Sequence, residues 1–226
     1  MKRIWEIDFL RGLALIIMVY YHIIFDLNEI FNIKVSYESG MNYFVGKLSA
    51  ILFIALSGLS SSLSKSNVKR GIKVLAIALI LTIVTSIFTS FSIKFGILHL
   101  LGVSMIIYPL LNKIKTFHLS VLGLVIIIIP YAVSMKTNFD WLFMLGFYSE
   151  KFYSGDYYPL IPWLGIFIFG IVFGRIFYSE KRSLLIKPLR DNIVNAVGRN
   201  TLIIYLIHQP LIFAIIYLSI KFLKEV

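Results

Sequence analysis

Seven long apolar runs, six of them without a charged side chain, limit what this chain can fold into. The opening stretch Ile7–Leu27 is interrupted only by Asp8, Arg11 and Asp26. After it come Leu48–Ser64, Val74–Ile93, Phe95–Asn112, Thr116–Met135, Tyr157–Gly174 and Asn200–Ile220, with Lys and Arg gathered between them. Each run is near the roughly 20 residues a helix needs to cross a hydrocarbon core of about 30 Å. The chain is 59% hydrophobic and only 15% charged over 226 residues. Soluble domains are closer to about 45–50% apolar and about 25% charged. This surplus exceeds what one soluble core can hide. The expected fold is therefore all-α: a polytopic integral membrane helical bundle of about seven transmembrane helices. It should form one domain over residues 1–226, with no separate soluble catalytic domain. Trp141–Ser149 is apolar but too short to cross, and reads as an interfacial or re-entrant piece. Only Lys94 separates the third and fourth runs, so seven spans require a tight turn there.

The formal charge of +11 does not point to nucleic acid, because the basic residues flank the apolar runs as topology demands. With the N-terminus inside, fourteen cations fall on inner segments, among them Lys2, Arg3, Lys69, Arg70, Lys113, Arg175, Lys187, Arg190 and Arg199. Seven fall on outer segments, including Lys34, Lys94 and Lys224. The N-terminus is thus expected in the cytoplasm and the protein in the cell membrane as a multi-pass chain. Lys2-Arg3 and the apolar run behind them resemble a signal peptide. The interruption at Arg11 and the lack of a small-residue cleavage site favour a retained helix. Cysteine is absent, which excludes disulfides, thiolate metal sites and a cysteine nucleophile.

The first run also carries the candidate chemistry. At about 100° per residue, Arg11 and His22 lie within roughly 20° of each other on the helical wheel. Asp8 lies one turn from Arg11, and Asp26 one turn beyond His22. The four form a polar stripe about 27 Å long, nearly the depth of the hydrocarbon. Ionisable groups at that depth must face protein or water. His22 and Asp26, four residues apart, can form a hydrogen-bonded pair in which the carboxylate orients an imidazole base. That suits deprotonation of a hydroxyl or amine; the structural alternative is a hydrogen bond between packed helices. Arg11 can bind phosphate or close a salt bridge to Asp8.

Orientation places His99 in the same outer half as His22. It places His208, beside Gln209 and Pro210, in the inner half at a different level, where it would bond across helices. His118 reads as interfacial. Asp156 can anchor a polar substrate at the outer mouth, with Tyr157 and Trp163, or cap the following helix. Gly170 and Gly174 have the spacing of a helix-packing face. No metal site is expected: His22, Asp26 and His99 have ligand chemistry, but their spacing does not impose one. No P-loop, HExxH or GxSxG motif occurs.

Four segments, IDFLRGLALIIMVYYH, GILHLLGVS, DYYPLIPWLGIFIFGIVFGR and GRNTLIIYLIHQPLI, resemble in this order the bacterial membrane proteins related to the catalytic domain of heparan-alpha-glucosaminide N-acetyltransferase. The resemblance implies acetyl transfer across the membrane, from cytoplasmic acetyl-CoA to a sugar amine or hydroxyl on the other side. One departure stands out. In the lysosomal enzyme the key histidine lies beyond the first-helix motif, whereas the matching loop here, Asn28 to Asn42, has none. His22, inside the helix, sits closer to the histidine of the broader membrane O-acyltransferases.

The resulting expectation is a catalytic set of His22, Asp26 and His99. Arg11, Arg70, Arg175 and Arg199 would hold the CoA phosphates, and Asp156, Tyr157 and Trp163 the acceptor. The expected partners are the lipid bilayer, an acyl-CoA and a glycan or amino-sugar acceptor, with a homodimer left open. The alternative is a transporter or flippase for a small polar or lipid-linked solute, to which a stripe crossing the bilayer is equally suited. The absence of an inverted repeat weighs against it. A structural or assembly role is a third reading.

Overall fold

The computed structural model describes residues 4–88, 91–185 and 192–225. Lys2, Arg3, Lys187 and Arg190, four of the cations behind the charge bias, lie outside the described residues. Among the described residues eight helices follow in order: α1 (Trp5–Glu29), α2 (Gly40–Leu63), α3 (Asn67–Phe88), α4 (Ile97–Leu111), α5 (Thr116–Ala132), α6 (Leu160–Phe177), α7 (Ile193–Arg199) and α8 (Thr201–Glu225). No β-strand occurs among the described residues. Five helices, α1, α2, α3, α6 and α8, are long and apolar enough to cross a membrane; α4 and α5 are shorter apolar helices. The chain is a multi-pass membrane protein.

Helix ends depart from the apolar runs where charge and capping decide. Helix α3 starts at Asn67, seven residues before its charge-free run, because Lys69, Arg70 and Lys73 stay exposed on its first turns. The junction around Lys94 is no tight turn. An irregular connection separates α3 from α4, and within it Lys94 N–H donates to Ser154 Oγ at 3.0 Å. Helix α6 starts at Leu160, directly after Pro159, so Tyr157 lies outside it. The stretch around Trp141 is a series of turns, with Trp141 exposed.

The chain divides into two compact units. The first holds residues 1–53 and 183–226. Within it α1 packs on α7 and α8. The α1–α7 crossing is close enough to require glycine on both sides. A Cβ on Gly12 would sit 2.0 Å from the Val194 carbonyl oxygen, and one on Gly198 would sit 1.7 Å from that of Asp8. On α8, Ile203, Ile207, Leu211, Ile215, Leu218 and Phe222 are exposed at steps of three and four. Phe213 and Tyr217 widen this apolar outer face toward the C-terminus, while His208 and Ile212 are buried.

The second unit, residues 54–182, pairs α3 with α4 and α5 with α6. Gly170 lies against the Ala55 carbonyl and Gly174 against Ser62, so the small-residue face of α6 receives the last turns of α2. Phe143, Tyr148, Phe152 and Tyr157 form an aromatic cluster in the α5–α6 connection.

Candidate active site

Each unit holds one polar cluster that bears on the predicted site residues. In the first unit the centre is Asp26, whose exposure is 0%. A carboxylate removed from water needs a donor. Gln209 Nε2 of α8 supplies one, at 2.6 Å from Asp26 Oδ1. Beside them the rings of His22 and His208 meet edge to face, with centroids 4.8 Å apart. His208 Nδ1 lies 2.5 Å from the Tyr205 carbonyl. Four buried polar atoms of this cluster have no hydrogen-bond partner: His22 Nδ1, Asp26 Oδ2, His208 Nε2 and Gln209 Oε1. Buried polar atoms are normally paired, so four orphans in one cluster single this place out as the candidate site.

The direct His22–Asp26 hydrogen bond expected from their spacing is not made. Asp26 is drawn to α8 by Gln209, and His22 Nδ1 stays unbonded. The placing of His208 at a different level is also corrected. Helix α7 lies along the foot of α1, so α8 starts well up its flank. Gly198 abuts Gly12, and ten residues further along each chain come His208 and His22. The two helices run parallel at that height. The adjacent pair His208–Gln209 inside an apolar run was the available signal, but depth counted from the charged ends hid it.

In the second unit His99 and Asp156 each engage a backbone amide at the start of α4. Gly96 N–H donates to His99 Nδ1 at 3.2 Å, and Ile97 N–H donates to Asp156 Oδ2 at 3.0 Å. With Nδ1 accepting, the proton of the neutral ring is on Nε2, 3.1 Å from Thr82 Oγ1. Both ring nitrogens are therefore engaged by the protein. Asp156 caps α4 rather than the helix that follows it. Half-burial pushes its carboxyl up to about 6, with the Ile97 amide opposing. Tyr157 donates to the Phe143 carbonyl at 2.7 Å. Its phenol is raised by burial first, then by Tyr148 and Asp140. Trp163 packs on Tyr158, with rings 4.8 Å apart.

The arginines differ in what already holds them. Arg11 donates to Asp8 Oδ1 at 2.8 Å, which is the salt-bridge alternative of the two the sequence left open. Arg175 donates to the carbonyls of Leu111, Asn112 and Ile114, closing the end of α4. Arg70 is exposed on the first turn of α3, and Arg199 is half-buried at the end of α7. His118 is exposed at the start of α5. Among the described residues no three His, Asp or Glu side chains are grouped to hold a metal ion.

Apolar helices with outward hydrophobic stripes, and ionisable groups turned inward onto one another, define a polytopic membrane protein with a buried polar site. The chain belongs to the catalytic family of heparan-alpha-glucosaminide N-acetyltransferase, whose sequence model matches residues 3–210 of its 226. It is a membrane acetyltransferase-like protein. No curated protein and no solved structure matches it.

Proposed function

We propose that this protein transfers an acetyl group from acetyl-CoA to an amine or hydroxyl of a sugar acceptor, with His22 as the acid–base residue. The observation that carries this reading is the cluster of four unpartnered buried polar atoms around His22 and Asp26. Gln209 Oε1 and the ionised Asp26 Oδ2 accept hydrogen bonds, and neither meets a donor from the protein. An amine or hydroxyl brings the donors that are missing. Attack on the thioester carbonyl needs a base within reach of the same atom, and a positioned imidazole supplies about 10²–10⁴-fold. Asp26 would stabilise the imidazolium formed on His22.

The matched family segment runs through both compact units, which supports reading residues 1–226 as one functional domain. For the CoA phosphates, Arg70 fits best of the four arginines. It stands exposed beside Lys69 and Lys73 at a helix N-terminus, where amide dipoles add to the positive field. Arg11 and Arg175 are committed to a carboxylate and to carbonyls, and Arg199 is the second candidate. His99, Asp156, Tyr157 and Trp163 remain the candidates for the acceptor in this reading. The charge bias supports a cytoplasmic N-terminus with acetyl-CoA entering from the cytoplasm, and the seven apolar runs favour seven spans in the cell membrane.

The test is transfer of radiolabelled acetyl from acetyl-CoA to glucosamine-type acceptors by purified protein in nanodiscs. His22→Ala is expected to lower kcat by at least about 100-fold. Unchanged turnover in that variant removes His22 from the mechanism. Solute movement into liposomes without any transfer would favour the transporter reading.

A further inference from the structure

We infer that His208 is a second catalytic base, sharing with His22 the one proton that the transfer releases. The inference deepens the acetyl-transfer reading and rests on it. Its ground is the state of the His208 ring. A carbonyl oxygen can only accept, so the contact between His208 Nδ1 and the Tyr205 carbonyl fixes the proton on Nδ1. That leaves the lone pair on Nε2, and Nε2 is buried with no partner. Of the two imidazoles at the site, only His208 has its tautomer set by the backbone, and it is set as a proton acceptor. The residue is 7% exposed and edge-on to His22. Two imidazolium ions at that separation in an apolar unit repel strongly, so the pair holds at most one extra proton.

The step balances on this chain's own groups and the two substrates. The acceptor's N–H or O–H bond breaks, and its proton goes to His208 Nε2. The freed nitrogen or oxygen pair forms a bond to the thioester carbonyl carbon. Collapse of the adduct breaks the C–S bond, and the departing thiolate takes the proton back. Until then His22, beside the charged ring, shares that proton, and both imidazoles end neutral. Gln209, next in the chain, keeps Asp26 Oδ1 occupied, so that Oδ2 alone faces the reacting groups.

The test compares wild type, His208→Ala, His208→Asn and the double variant His22→Ala/His208→Ala in the nanodisc assay. Thermal melting checks folding. Asparagine keeps an N–H where Nδ1 stood, so it can still donate to the Tyr205 carbonyl, but it has no base at the Nε2 position. A merely structural histidine is rescued by asparagine; a base is not. The expected result is a fall in kcat of at least about 100-fold in both single variants. Acceptor KM should change less than about threefold, and the melting temperature of His208→Asn should stay near that of wild type. The double variant should be no slower than the worse single one by more than about threefold, because the residues act as a unit. Wild-type turnover that His208→Asn leaves within about threefold, or losses that multiply in the double variant, overturn this assignment alone. No transfer by wild type with any acceptor overturns the acetyl-transfer reading and this assignment with it.

Discussion

Asp26 and Asp156 show how one residue type is put to different use by its surroundings. Asp26 is enclosed and leans on a single donor from α8. Gln209→Ala removes that donor while the carboxylate remains buried. An unsatisfied buried group costs about 1–3 kcal/mol, so thermal melting of this variant in detergent is expected to show a clear loss. Asp156 stands outside the spanning helices, and its carboxyl is pushed up from 3.8 to about 6. In that window the folded chain holds a proton that the unfolded chain has released. Stability from Asp156 is therefore fully present below about pH 4 and lost as pH rises through about 6. Asp156→Asn keeps an acceptor for the Ile97 amide but cannot ionise. The melting temperature of the variant relative to wild type should rise between pH 4 and pH 7, and a constant difference would refute the shift.

At the scale of the element, the seven-residue helix α7 does more than its length suggests. Packed along the foot of α1 through Gly12 and Gly198, it sets the height at which α8 begins. That height brings His208 and Gln209 level with His22 and Asp26. Gly198→Ala places a methyl where the Asp8 carbonyl stands, and α7 must move away. Overpacking of this kind costs about 1–3 kcal/mol. The variant should also lose transfer activity with both histidines intact; normal activity would show that the α8 register does not depend on the crossing. Arg175 plays a comparable part in the second unit, where its planar fork ties together the Leu111, Asn112 and Ile114 carbonyls at and just beyond the end of α4.

For the whole molecule, the absence of cysteine makes orientation directly measurable, since any introduced thiol is the only one. With a cytoplasmic N-terminus, Lys34→Cys and Lys94→Cys are expected to react with a membrane-impermeant maleimide in intact cells. Lys69→Cys and Lys113→Cys should react only after the membrane is opened. The reverse pattern would invert the chain and move the CoA end of the proposed reaction to the outside.

The sequence alone determined the fold class, because the number of charge-free runs and the scarcity of charge leave no other way to bury so much apolar surface. It also singled out His22 and Asp26, since ionisable residues inside a spanning run must face something polar. Their partners were decided by tertiary structure. Residue counting gave His208 a depth along its own helix. Its true level depends on where α7 deposits the start of α8, a packing distance set by two glycines 186 residues apart in the sequence. Likewise, the spacing of His22 and Asp26 allowed a hydrogen bond between them, while a glutamine from another helix took the carboxylate. Periodicity fixes which face of a helix is polar; only the neighbouring helix, brought alongside by packing, fixes which of those polar atoms are satisfied and which remain free for chemistry.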